Sequence, residues 1–231
     1  MSDVTPVLNA RKGVSPTPSG SPAPLPPDLF HCPEGAWLMT SCLPKFGIRR
    51  RQAALMELPE LISILSCDVP DLKALGMTRE TIEPVQAWQR RDDSHPVVAQ
   101  ARSILETCRA RGIWLLTAGD ADYPEALHHI HDAPLVLYCL GDRRLLQRHQ
   151  IGIVGSRNAT RVGLDHARKF AAALSDKGFL VTSGLALGID GAAHAGALDA
   201  GHHTLAVIGS GLDRLYPSQH RTLAERITCQ G

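Results

Sequence analysis

The sequence predicts an α/β protein in which a parallel-sheet domain follows a small helical domain, and three observations predict it. Between Ile151 and Pro217, three apolar strand-like runs each end in a glycine-serine turn before a helical pattern. Ile151-Gly152-Ile153-Val154 leads into Gly155-Ser156-Arg157. Phe179-Leu180-Val181-Thr182 leads into Ser183-Gly184-Leu185-Ala186-Leu187-Gly188-Ile189-Asp190, and Leu205-Ala206-Val207-Ile208 into Gly209-Ser210-Gly211-Leu212-Asp213. Repeated strand, glycine turn and helix builds a doubly wound sheet whose turns gather at the carboxyl ends of the strands, where ligands bind. The second observation is helical periodicity upstream of this region, and the third is that 231 residues at 44% hydrophobic suffice for a sizeable core.

In chain order, residues 1–30 read as a disordered tail. Pro16, Pro18, Pro22, Pro24, Pro26 and Pro27 stand among Ser, Thr and Gly, with too few large apolar side chains to offset the entropy of ordering. Residues 34–92 read as the small helical domain: Trp37, Leu38 and Cys42 recur at helix spacing, then Leu55, Leu58, Leu61, Ile62 and Leu65. Pro44, Pro59, Pro70 and Pro84 are expected to divide it into short helices, with Arg49-Arg50-Arg51 at a helix start. The run Arg90 to Ser94 reads as a linker.

Residues 97–231 read as the sheet domain. A helix from about Val97 to Arg111 leads into the apolar run Ile113 to Thr117, and Leu135 to Leu140 follows after the turn Gly119 to Pro124. These two strands are expected to extend the main sheet. Helices are then expected at about Gly163 to Lys177, Ile189 to Ala200 and Ser218 to Thr228. The chain stops where a next strand should begin, so it reads as truncated within the sheet domain, with its last strand lacking a neighbour on one side.

Composition excludes several classes. The six cysteines form no CxxC pair, no signal-like segment opens the chain, and no apolar run approaches the roughly 18 residues of a membrane span. A cytoplasmic protein with reduced thiols and no membrane partner is expected. The net charge of +1 hides an asymmetry: Arg143 to Gly231 carries 11 Lys and Arg against 6 Asp and Glu, so the glycine-turn half is the basic half. That balance is compatible with a phosphate-bearing partner.

Each turn places backbone N–H groups at a helix start, where unpaired donors and the macrodipole favour an anion. In the first turn Ser156 and Thr160 add hydroxyls, and Arg157 can clamp a phosphate or stack on a base; the alternative is that Arg157 is a solvated surface charge. The stretch from Gly209 to Arg214 begins like GxGxxG, but Arg214 replaces the third glycine, and no GxxxxGK[ST] loop occurs. Asp190 and His194 share a helix face at i,i+4. They read either as an acid–base couple or as a helix cap beside a satisfied, partly buried histidine. No GxSxG nucleophile elbow is present. His128-His129-Ile130-His131-Asp132 reads as a surface helix end, since adjacent histidines on a helix do not converge on one ion. No metal, no cofactor and no catalytic residue is expected.

These motifs together resemble a known family. Val154-Gly155-Ser156-Arg157 with Thr160 and Gly163, then Thr182 to Ala186 with Gly188-Ile189-Asp190, Ala193-His194 and Gly201, then Val207 to Gly209 with Gly211-Leu212-Asp213 and Tyr216-Pro217, are similar to the DNA-processing protein A family (DprA, also called Smf). Upstream, Gly112-Ile113, Asp122-Tyr123-Pro124, Leu127, Ala133-Pro134, Leu137-Tyr138 and Gly141 extend the likeness. The helical segment more loosely resembles that family's SAM or helix-hairpin-helix-like amino-terminal domain.

The resemblance implies an extended Rossmann-like domain, incomplete here. It also implies a non-catalytic protein that binds single-stranded DNA, protects incoming DNA, forms a homodimer and helps load the RecA recombinase in natural transformation. Carried over residue by residue, the nucleic-acid-binding set is Gly155, Ser156, Arg157, Thr160, Ser183, Gly184, Ala186, Gly188, Asp190, Gly209 and Gly211. Leu187, Ser218 and His220 depart from the family's usual arginine, lysine and asparagine, and each departure is expected to remove a contact. The alternatives are a Rossmann-type nucleotide-phosphate enzyme of the phosphoribohydrolase group, or an inactive truncated fragment.

Overall fold

A computed structural model describes residues 28–212 and 215–230. Of the expected disordered tail, residues 1–27 lie outside the described residues. Asp28, Leu29 and Phe30 belong to the fold instead. Leu29 is buried, Phe30 tilts against Trp88 with ring centroids 4.9 Å apart, and Asp28 pairs with Arg102.

The helical region runs through α1 (Pro33–Cys42), α2 (Ile48–Glu57), a 3-10 turn (Leu61–Ser66), α3 (Val69–Ala74) and α4 (Arg79–Gln89). Pro33 and Pro70 sit in the first turns of α1 and α3, where a missing N–H costs nothing, and the Asp68 carboxylate caps α3 by accepting the Asp71 N–H. Pro84 does not end a helix as the sequence predicts; it lies buried inside α4. An interior proline costs about 3 kcal/mol. Burial of neighbouring Ile82, Val85 and Ala87 offsets it, at about 1.5–3 kcal/mol for each large apolar side chain.

The next helix, α5 (Pro96–Ala110), buries Val98, Ala101, Leu105 and Cys108, a stripe at helical spacing that packs on α1. The hydrophobic cluster that holds Leu38, Ile64 and Val85 also holds Val98, Ala101, Leu105, Leu135 and Val136. One core therefore runs through the expected boundary at residues 92–97.

Strands β1 (Trp114–Thr117) and β2 (Val136–Cys139) pair antiparallel, with α6 (Glu125–His128) between them. They do not extend the main sheet but form a separate two-stranded sheet. The physical reason is their apolar face: Leu115, Leu135 and Val136 pack into the helical core, which holds the hairpin on the bundle.

The main sheet has parallel order β3-β4-β5, from β3 (Gln150–Gly152), β4 (Leu180–Ser183) and β5 (Thr204–Ala206). Helices α7 (Arg161–Asp176) and α8 (Ile189–Asp199) follow β3 and β4. After β5, a 3-10 turn (Ser218–His220) runs into α9 (Arg221–Gln230). Helix α8 is buried from Asp190 to Leu198; its alanines and glycines let α7, α9 and the strands close around it.

The sequence places an unpaired edge at the last strand; among the described residues β3 is an edge as well, because β4 lies between the other two. The β3 side is markedly apolar. Val154 is 76% exposed and Phe170 64%, beside an open groove of about 570 Å³ lined by Ile151, Ile153, Ala167 and Leu174. In a doubly wound sheet the first strand is the one flanked on both sides, and this apolar face fits that topology.

Candidate nucleic-acid interface

The three turns meet at the carboxyl ends of β3, β4 and β5, and one buried carboxylate joins two of them. Asp190, the second residue of α8, accepts the Gly155 N–H through Oδ1 at 3.4 Å and the Gly184 N–H through Oδ2 at 3.1 Å. Beside it, the Ser156 carbonyl accepts the Ile189 N–H at 3.2 Å. Gly188, at φ +80°, makes this approach possible: a Cβ there would collide with the Ser156 carbonyl oxygen.

The third turn is drawn in by the Val207 N–H, which donates to the Ser183 carbonyl at 2.9 Å. The segment after it docks through His220, whose Nδ1–H donates to the Leu185 carbonyl at 2.8 Å. The imidazole fills the space that a side chain on Gly191 would need. Leu185 itself holds φ +58°, a left-handed conformation that costs a non-glycine residue about 1–2 kcal/mol. Its burial against Leu198 and Ile227 and the bond from His220 sustain it.

This arrangement revises the roles expected from the sequence. The N–H groups of Gly155 and Gly184 are engaged by Asp190, so Asp190 takes the place there that an anion would. Ser183 is buried and its hydroxyl donates to the Ile153 carbonyl at 2.5 Å. Thr160 caps α7, its Oγ1 accepting the Gly163 N–H at 3.1 Å, and the Ser156 Oγ accepts the Asn158 N–H at 3.1 Å.

What faces outward is a different subset. Arg157 is exposed and forms no hydrogen bond or ion pair with a described residue. The loop N–H groups of Ala186, Leu187 and Gly188 likewise have no acceptor among the described residues. Gly209 and Gly211 are exposed on the third turn, while Asp213 and Arg214 lie outside the described residues. Arg161 and Arg221 are the first residues of α7 and α9, and neither has a partner among the described residues.

Asp190 and His194 make no hydrogen bond to each other. His194 is fully buried, not partly, and its Nδ1 lies 2.8 Å from the Thr204 Oγ1. Thr204 gives its own hydroxyl hydrogen to the Val181 carbonyl at 2.7 Å, so His194 donates from Nδ1 and its buried Nε2 is left without a partner. Burial pushes its pKa down to about 4, against the opposing pull of the Asp190 charge. A neutral imidazole closed off from solvent is no acid–base partner for a ligand. The His128 to His131 segment ends α6, and the described residues hold no cluster of three or more metal-ligating side chains.

Residues 114–231, 118 of the 231, match the sequence profile of the family described as DNA recombination-mediator protein A. The chain belongs to that family. Protein Smf of Synechocystis is 44% identical over 131 residues, covering 55% of this chain and 33% of that protein. DNA processing protein DprA of Bacillus subtilis is 33% identical over 152 residues, covering 65% and 50%. The X-ray structure of DprA from Streptococcus pneumoniae superposes with a TM-score of 0.63 at 26% identity, over 87% of this chain and 64% of that one. The chain thus spans a third to a half of these two curated relatives. The DprA/Smf resemblance and the Rossmann-like fold it implies are both borne out.

His220 corrects one expected departure from the family pattern, because it supplies a polar contact; Leu187 and Ser218 are exposed and uncharged. Nothing in the sequence marks Leu185 for a left-handed conformation, since tertiary packing imposes it.

Two outcomes are expected. Asp190→Asn places an amide N–H₂ against a backbone N–H, and should cost about 1–3 kcal/mol in urea denaturation; an unchanged midpoint would show that the clamp is dispensable. The lowered pKa of His194 means the unfolded chain binds its proton more readily than the folded one. Stability should therefore fall as pH drops from about 6.5 toward 4, by up to roughly 3 kcal/mol, and His194→Gln should flatten that dependence.

Proposed function

We propose that the end of the sheet formed by the three turns binds single-stranded DNA by its backbone, without reacting with it. The observation that carries this is that the starts of α7 and α8 meet at Gly163 and Ile189, that the segment leading into α9 docks beside them through His220, and that Arg157, next to Gly188, is exposed and has no partner among the described residues. Helix starts favour anions, and a guanidinium fork matches phosphate or stacks on a base. Membership of the DNA recombination-mediator family and the basic balance of the carboxyl-terminal half support the same reading. In the whole protein this binding would serve DNA processing in natural transformation. It would protect incoming strands and help to load RecA, with the protein acting as a cytoplasmic homodimer. Within residues 97–231 the parallel sheet and its turns would carry the binding surface, and residues 34–92 would be an accessory helical region whose core continues into residues 98–136.

The pocket's chemistry favours holding over turnover. A nucleotide-phosphate enzyme needs an acid or base facing its ligand. Here Asp190 is engaged by two N–H groups, and His194 is buried and neutral.

Fluorescence anisotropy with labelled oligothymidine, followed against salt, tests the proposal. Arg157→Ala should weaken binding and reduce the slope of log K against log salt by about 0.7. Equal affinity and slope in the variant would remove Arg157 from the site. Wild-type protein without salt-dependent binding would sink the reading itself, and release of free base from a nucleotide would replace it with the enzyme.

A further inference from the structure

We propose that Tyr216 is a base-stacking platform at the rim of this site, an inference that rests on the single-stranded DNA reading above. The ring is 70% exposed, and neither it nor its hydroxyl has a partner among the described residues. An exposed tyrosine alone says little; the backbone around this one says more.

Leu215 packs into the cluster of Leu185, Leu198 and Ile227, and Pro217 on the other side is buried. Three residues further on, His220 bonds the Leu185 carbonyl and packs over Gly191. The segment is therefore fixed before and after Tyr216, and the inward-facing neighbours leave its side chain outside. A ring held out on an anchored backbone loses little freedom when a flat partner lies on it, which is what stacking needs.

Its place is also right for a nucleic-acid strand. The segment that carries Tyr216 docks on the second turn, and the second turn abuts Ser156 and Arg157 through Gly188. Val207, exposed on the third turn, adds apolar surface at the same end of the sheet. Arg157 and the N–H groups of Ala186 to Gly188, which have no acceptor among the described residues, offer contacts for phosphate. Tyr216 offers a π-face that every base fits, which gives affinity without sequence preference.

Stacking and charge are separable by salt. Tyr216→Ala should weaken binding of oligothymidine about tenfold while leaving the salt slope unchanged, because no cation is lost. Tyr216→Phe and Tyr216→Trp should bind as wild type, and the indole emission of the latter should be quenched by the oligonucleotide. A phosphodeoxyribose oligomer lacking bases should bind wild type and Tyr216→Ala alike. Thermal melting of each variant checks the fold; should Tyr216→Ala melt early, Tyr216→Leu carries the comparison.

Equal oligothymidine affinity in wild type and Tyr216→Ala, alongside an intact Arg157 effect, would overturn the platform and leave the DNA reading standing. Absence of salt-dependent binding by wild type would remove both.

Discussion

The site depends on a single carboxylate. Asp190 reaches from the first turn of α8 to the N–H groups of Gly155 and Gly184, tying the ends of β3 and β4 to one helix start. Backbone N–H groups buried without an acceptor cost about 1–3 kcal/mol each, so the clamp satisfies donors that the tight turns would otherwise orphan. It also fixes geometry: with both turns held on one side chain, Gly188 can approach Ser156 closely enough for the Ile189 N–H to bond the Ser156 carbonyl. Glycine turns that look like a phosphate cradle are here partly an internal one.

That substitution changes which atoms are free to meet a ligand. A negative charge already sits under the first two turns, so on the reading proposed above a phosphate would be met farther out, by the N–H groups of Ala186 to Gly188 and by Arg157. His194 sits one turn deeper in α8. Its donation to Thr204, whose hydroxyl continues to the Val181 carbonyl, links the helix to β4 and β5. Burial keeps it neutral, so it adds no second charge beneath Asp190. The polar interior of this half is thus a short set of directed bonds that orient the turns.

Much of this fold was legible in the sequence because it is written in periodicity and glycine. Strands at 150–152, 180–183 and 204–206, and helices at 161–176 and 189–199, fall within a few residues of the expected runs. Apolar alternation and turn chemistry are local signals. What was not legible depends on contacts distant in sequence. Leu115 and Val136 read as strand residues correctly, but only packing decides that their hairpin lies on the helical core. Thr160 and Ser183 read as contacts to a ligand, but their partners are set by the folded turn: the Gly163 N–H donates to Thr160, and the Ile153 carbonyl accepts from Ser183. Asp190 was singled out by its spacing from His194, yet its partners lie 35 and 6 residues away in the chain.

The two halves are held by different means, and the difference bears on the site. Large side chains such as Phe46, Leu38, Ile64 and Leu72 fill the amino-terminal core, whereas beneath the sheet the clusters are small: Ala171, Val181, Ala193 and Ala197 on one side, Leu185, Leu198 and Ile227 on the other. Small residues permit close backbone approach but bury little apolar area each, at about 25 cal/mol per Å². The sheet half therefore leans more heavily on its directed hydrogen bonds, and its apolar surface at Val154 and Phe170 stays open along β3. Loss of one such bond there removes a larger fraction of what holds the region than it would in the helical half. Because those same bonds set where the turns lie, stability and ligand geometry in this half are governed by the same few residues.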